Sequence, residues 1–175
     1  MSLTSQDITL RALEPDDLEL LYEWENDRSV WKVSNTYVPF SKFALANYIK
    51  SSDRDIWESK TLRLIIEDGQ KQAVGTVELF DFEPFHSRAG LGVMIYDKDK
   101  RQKGIASEAI KLMCDYSLNE LGLSQLYVNI AESNEASLNL FRKLGFEQAG
   151  EKKRWLRVGS GWENELLFQK FLSRD

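Results

Sequence analysis

One cysteine, Cys114, and one histidine, His86, are all that 175 residues contain of either type. A lone cysteine cannot close an internal disulfide, which sets aside the disulfide-stapled secreted scaffolds and fits a reducing, cytoplasmic setting. No metal site is expected. No apolar run comes near the ~20 residues that a membrane-spanning helix needs. The start of the chain lacks a basic-plus-apolar leader, so no membrane association is expected. Positive charge is the minority sign, with 23 Lys and Arg against 28 Asp and Glu and a net charge of −5. That balance argues against a general nucleic-acid or membrane-surface binder, since both want a basic face. Proline is scarce, and its three residues outline no linker. Neither an internal repeat nor a low-complexity tract interrupts the chain. Hydrophobic residues make up 42% and charged residues 29%, an ordinary globular composition. Residues 1–175 are expected to form a single domain whose core needs no metal or disulfide staple.

What is present centres on Arg101-Gln102-Lys103-Gly104-Ile105-Ala106-Ser107, a short polar loop that runs through one glycine into an amphipathic helix. Consecutive backbone N–H groups near a helix N-terminus, unobstructed at Gly104, suit phosphate oxygens. Arg101 and Lys103 add positive charge. An ordinary strand-to-helix turn with exposed basic residues explains the same stretch. A Walker-type loop does not, because the second glycine and the Gly-Lys-Ser/Thr ending are missing.

Around this loop the patterns alternate between strand and helix. Ile8 to Leu13 reads as a first strand, and Pro15-Asp16-Asp17 opens a helix to about Asn26. Asp27 to Phe40 is irregular and aromatic, and a second helix follows from about Ser41 to Ser51. Three strand candidates come next: Thr61 to Glu67, Ala73 to Phe82 and Arg88 to Tyr96. Asp68-Gly69 supplies a hairpin turn between the first two. Alternation puts Glu78 on one face with Thr76 and Phe80, and Asp81 on the other. Gly90 and Gly92 permit a bulge or the close approach of a ligand. The loop's own helix runs from about Gly104 to Glu120, with Ile105, Ala109, Leu112, Met113 and Tyr116 at helical spacing. Gln125 to Ala131 is a strand, and strand–helix–strand at this length predicts parallel neighbours. Ser133-Asn134 caps a short helix, Glu135 to Leu144. Glu147 to Val158 and Trp162 to Leu172 close the chain as a hairpin. The fold class read from this order is α+β, a mixed but mostly antiparallel sheet of about seven strands with four helices.

Two segments in this order resemble the signatures of the GNAT superfamily of acetyl-CoA-dependent N-acetyltransferases. Arg101-Gln102-Lys103-Gly104-Ile105-Ala106 is similar to that family's Arg/Gln-x-x-Gly-x-Gly/Ala pyrophosphate loop. Asn134-Glu135-Ala136-Ser137 through Phe141-Arg142-Lys143-Leu144-Gly145-Phe146 looks like its second signature. One helix and one strand separate them, as in the family. The resemblance extends to Leu10-Arg11-Ala12-Leu13-Glu14 and to Gly161-Trp162-Glu163-Asn164-Glu165-Leu166-Leu167, so it covers nearly the whole chain. The nearest branch contains the spermidine N-acetyltransferases and the acetyltransferases of ribosomal-protein N-termini. The resemblance implies a GNAT-like fold, acetyl-CoA as co-substrate and transfer of its acetyl group to a primary amine by direct attack. It implies that the backbone of Met94, Ile95 and Tyr96 pairs with the pantetheine arm in a gap before the next strand. Amides from Gln102 through Gly104, Ile105 and Ala106 to Ser107 would hold the pyrophosphate, helped by Arg101 and Lys103. Asn134, Ser137 and Phe141 would complete the cofactor site. Homodimers are common in that family.

Amide formation from a thioester needs a neutral amine, a stabilised oxyanion and a protonated leaving thiolate. Glu78 is the first candidate base, and a carboxylate on a solvated sheet face is its plain alternative. Asp81 could bind the cationic amine or act as base, or be a loop acid. His86 could titrate near neutrality or be an ordinary surface residue. Phe141 stands where many family members place a tyrosine that protonates the sulfur, which phenylalanine cannot do. Phe141 therefore keeps open a second reading, a catalytically silent acyl-CoA-binding module. Trp31, Tyr37 and Phe40 either wall the acceptor site or fill the core. Val33 to Ser41 lacks the carboxylates of polyamine enzymes, and Gly90 stands where another glutamate is expected. The acceptor is left between a polyamine-like small amine and an N-terminal peptide amine, with aminoglycosides and amino sugars also open.

Overall fold

A computed structural model describes residues 3–34, 36–52 and 54–173. Asn35, within the carboxylate-free stretch from Val33 to Ser41, lies outside the described residues. The seven strands are β1 (Ile8–Ala12), β2 (Leu62–Asp68), β3 (Ala73–Glu83), β4 (Arg88–Ile95), β5 (Gln125–Ala131), β6 (Glu147–Val158) and β7 (Gly161–Phe171). They form one sheet in the order β1-β2-β3-β4-β5-β7-β6. Every pairing is antiparallel except β4 with β5. That exception follows from the crossover through α5 (Ile105–Asn119), because a chain returning to the same end of a sheet must run parallel.

Six α-helices are present among the described residues, two more than the four expected. The expected ones are α1 (Leu18–Asn26), preceded by the 3₁₀ turn Pro15–Asp17, then α3 (Lys42–Ser51), α5, and α6 (Glu135–Lys143). The additions are α2 (Arg28–Ser34) and α4 (Ile56–Ser59). Both are short and begin at an aspartate. The Asp27 carboxylate accepts from the Ser29 N–H at 2.8 Å, and the Asp55 carboxylate from the Glu58 N–H at 2.9 Å. A helix this short has too few turns to show a period in the sequence, so only its cap betrays it.

The two sheet faces bury different clusters. On one, Leu64, Ile66, Val77, Leu79, Leu91, Leu126, Val128 and Ile130 pack under α5 and α6 through Ala109, Ile110, Met113 and Leu138. On the other, Ile65 packs with Leu21 and Leu45, which belong to α1 and α3, and with Ile49. That second cover stops short of β4 and β5, and the uncovered part is where polar groups collect. Cys114 lies in the larger core, where burial pushes its thiol up to about 11. A thiol so held is not a nucleophile at neutral pH.

Asp81 departs from simple alternation. The β3–β4 register shifts between Phe80 and Glu83, and Asp81 has φ of 48°. It is the extra residue of a bulge, so Phe82 returns to the face of Leu79 and Asp81 is freed from the opposite face.

Candidate active site

Strand β4 pairs with β5 only from Arg88 to Gly90, opposite Gln125 to Tyr127. Beyond Gly90 the two strands part, and β5 continues with β7 alone. Leu91 to Ile95 therefore presents a main-chain edge to an opening. The Tyr96 N–H donates to the Val74 carbonyl at 3.0 Å. Because main-chain groups alternate in direction along an antiparallel ladder, Met94 also faces β3, whereas Val93 and Ile95 face the opening. Of the expected trio Met94, Ile95 and Tyr96, only Ile95 turns its main chain toward the opening, and Val93 does the same. The sequence reading missed this because strand register is fixed by the partner strand.

The mouth of the opening is the loop before α5. Gly104 is the N-cap of that helix, with φ of 86°, and it supplies no side-chain cap. The first N–H groups of α5, at Ile105, Ala106 and Ser107, thus lie at a helix terminus that favours anions. Gln102 also has positive φ, 60°. Lys103 and Gly104 are exposed, and Arg101 directs its Nε to the Ile95 carbonyl at 2.9 Å. Lys100 ties the loop to the β2–β3 turn through Asp68, at 2.7 Å.

The second motif opens α6. Asn134 caps α6, its side-chain oxygen accepting from the Ser137 N–H at 3.1 Å. Phe141 is 3% exposed. Its ring meets Phe146 edge-on, with centroids 5.0 Å apart. Phe141, expected to contact the cofactor, has its ring in the packing of α6 on the sheet.

Glu78 stands on β3 with Arg63 of β2 opposite it on one side and Gly92 of β4 on the other. It is half-buried. A side chain at position 92 would lie 3.2 Å from the Glu78 Oε1, so the absent Cβ is what lets the carboxylate lie across β4. Burial raises the Glu78 carboxyl above its ordinary value, Arg63 opposes that rise, and Glu25 adds to it. Arg63 donates through NH2 to the Glu25 carboxylate, and also reaches the Tyr96 hydroxyl at 3.3 Å and the Thr76 hydroxyl at 3.4 Å. Trp24 stacks on Tyr96 at 4.6 Å between centroids. Neither Arg63 nor Glu25 is among the residues expected from the sequence. A lone charge amid Leu62, Leu64, Ile65 and Ile66 was the available signal for Arg63.

Further along the same face, Phe80 lies over Gly90, where a Cβ would come within 2.2 Å of its ring. Phe80 meets Tyr127 edge-on at 6.0 Å, and the Tyr127 hydroxyl donates to Asp81 at 3.0 Å. Burial first, then Asp81, pushes the Tyr127 phenol up to about 12. The bulge has thus turned Asp81 toward the face that carries Glu78. The other expected acceptor residues are scattered. Trp31 donates its indole N–H to the Glu25 carbonyl at 2.9 Å, while Tyr37 is 82% exposed. His86 is exposed in the β3–β4 turn, four residues before Gly90 and so at the end where β4 and β5 are still paired, against Phe85.

An edge that splays from its neighbour beside an uncapped helix terminus, with a half-buried carboxylate across the strand, is an arrangement suited to an acyl-CoA-dependent N-acyltransferase. Residues 7–147 match the family model described as Acetyltransferase (GNAT) domain, and the chain belongs to that family. It is 29% identical over 164 residues to spermidine N(1)-acetyltransferase of Escherichia coli (strain K12), covering 93% of this chain and 85% of that protein. The Vibrio cholerae spermidine N(1)-acetyltransferase is 28% identical over 173 residues, covering 95% and 96%. A crystal structure of the Vibrio cholerae spermidine N-acetyltransferase in complex with CoA and spermine superposes with a TM-score of 0.85 at 25% identity. That superposition covers 96% of this chain and 97% of the other. A dodecameric structure of that enzyme gives 0.80 at 25% identity, covering 96% and 95%.

The chain is accordingly a GNAT-family N-acetyltransferase that takes acetyl-CoA and an amine. Its residues fit that co-substrate: the unpaired β4 edge offers hydrogen bonds to an amide-bearing arm, and the α5 terminus suits its anionic end. The silent-module reading gains nothing from these relatives.

Proposed function

We propose that the chain works as a single domain, transferring the acetyl group of acetyl-CoA to a primary amine of a small, polyamine-like cation. Glu78 takes the amine proton. The observation that carries this reading is the place of Glu78: half-buried, raised by burial, and lying over Gly92 just past the point where β4 leaves β5. A carboxyl whose pKa is lifted toward the working pH is a better proton acceptor for an alkylammonium than an exposed one. Acetyl-CoA supplies the activated thioester. The main chain of Val93 and Ile95 aligns the arm, and the α5 amides from Ile105 to Ser107 hold the pyrophosphate. Asp81, on the same face, attracts the cationic end of the acceptor.

Polyamine-like acceptors are favoured by the relatives' named substrate and by the net charge of −5. Association into dimers or larger rings, as the dodecameric relative shows for itself, fits the family. The single buried thiol fits a cytoplasmic setting, and among the described residues no helix is long and apolar enough to cross a membrane.

The test is acetyl-CoA binding by calorimetry followed by thiol release with spermidine, an aminoglycoside and a Ser/Ala-starting peptide. Binding with release on spermidine is expected. Release with the peptide alone would move the acceptor class to N-terminal amines, and binding without any release would return the silent module.

A further inference from the structure

We propose that Arg63 is a positioning residue for Glu78, and that Glu25 governs it by holding the guanidinium toward α1. This rests on the reading of Glu78 as the base. Three carboxyl or phenol groups compete for one buried cation. Arg63 is directly opposite Glu78 across the β2–β3 ladder, yet its NH2 goes to Glu25, with Tyr96 and Thr76 as further partners. Its Nε is buried and has no hydrogen-bond partner. The guanidinium therefore has an unused donor on the face it shares with Glu78, while its strongest bond leads away from that residue. Glu78 itself makes neither a hydrogen bond nor an ion pair among the described residues.

The consequence is electrostatic. A guanidinium committed to Glu25 neutralises Glu78 only partly, so the carboxylate keeps its affinity for a proton. Released from Glu25, Arg63 becomes a full counter-ion to Glu78 and weakens it as a base. The charged and titratable groups around Glu78 are Arg63 from β2, Glu25 from α1, Tyr48 from α3 and Tyr96 after β4. Burial lifts both phenols, Tyr96 to about 12, so neither carries charge at neutral pH. Arg63 and Glu25 are the pair that decides. Glu25 is itself anchored: its neighbour Trp24 stacks on Tyr96, and its carbonyl accepts from the Trp31 indole. The strength of the base is thereby tied to how α1 and α2 seat against the sheet.

The test is a ¹³C-carboxyl NMR titration of Glu78 in the protein without acetyl-CoA, the signal assigned by its loss in Glu78→Gln. Glu25→Gln should lower the Glu78 midpoint by at least half a pH unit, and Arg63→Met should raise it by as much. Arg63→Lys should return it toward the parent value. If Glu25→Gln does not fold, Glu25→Leu with Arg63→Met replaces the pair by apolar groups, and a midpoint above the parent's is expected. Midpoints that stay put in these variants overturn the proposal. A kcat/KM–pH profile with spermidine separates the two readings. If the Glu78 signal moves and the rate limb stays, Glu78 is not the base, although Arg63 still governs it. If the limb belongs to Glu78 but neither variant shifts it, the inference fails alone.

Discussion

Glu78 lies across Gly92, its carboxylate occupying the space where a side chain at 92 would stand, 3.2 Å from Oε1. The two residues face each other in the β3–β4 register. Because Gly92 follows Gly90, the last residue paired with β5, the carboxylate sits beside the opening rather than on a closed ladder. The place of the carboxylate and the open β4 edge thus depend on one another through a missing methyl group.

Gly92→Ala should push the Glu78 carboxylate aside by a few tenths of an ångström or more. Displacements of about 1 Å cost rates up to ~10²-fold. We expect kcat to fall about tenfold at saturating substrates with the KM for acetyl-CoA little changed, measured by thiol release. An unchanged kcat would mean that Glu78 does not need that place.

Glu78→Gln removes the carboxylate that we propose as the proton acceptor. Loss of a general base costs roughly 10²- to 10⁴-fold in rate, and the acid limb of the kcat/KM profile should vanish with it. Retention of that limb would assign it to another group.

Stability should move the opposite way. Burial raises the folded-state carboxyl of Glu78 above its ordinary 4.5. The folded state then holds its proton longer than the unfolded state does. Its contribution is intact below about pH 4.5 and lost as pH rises through the raised folded value. Glu78→Gln should therefore melt higher than the parent at pH 7, with the difference shrinking toward pH 4. A lower Tm at pH 7 would show that Glu78 contributes favourable contacts as an anion.

Gly104 holds φ of 86° with nothing within 4 Å of a built Cβ. The obstacle to substitution is therefore backbone strain rather than crowding, about 1–2 kcal/mol for an L residue in this region. Gly104→Val should raise the Kd for acetyl-CoA about tenfold or more while far-UV circular dichroism stays the same. Calorimetry reads the first, and an unaltered Kd would remove the loop from the binding site.

Phe141 packs on Phe146 inside the core. Phe141→Ala should cost about 3–5 kcal/mol in denaturant unfolding. A loss under 1 kcal/mol would mean that the ring is not a core element.

Much of this molecule is written locally. Glycines before and after α5, an Asn134 cap and alternating aliphatics locate the elements, and Gln125–Ala131 and Glu147–Val158 have the boundaries that their patterns predict. The order of elements and the two spaced signatures also carry the family, because a phosphate-binding helix terminus is built from consecutive residues. The sequence alone settled that much. What only tertiary structure decided are the relations between strands. Register turned the main chain of Met94 and Tyr96 toward β3, a one-residue bulge brought Asp81 round to the face of Glu78, and packing set the Phe141 ring in the core. Arg63 and Glu25 are 38 positions apart and meet only because β2 passes under α1. Side-chain direction along a strand flips with every residue, and the field at a buried carboxyl comes from groups distant in the chain. Neither can be read from a local window, so the chemistry of Glu78 had to wait for the fold.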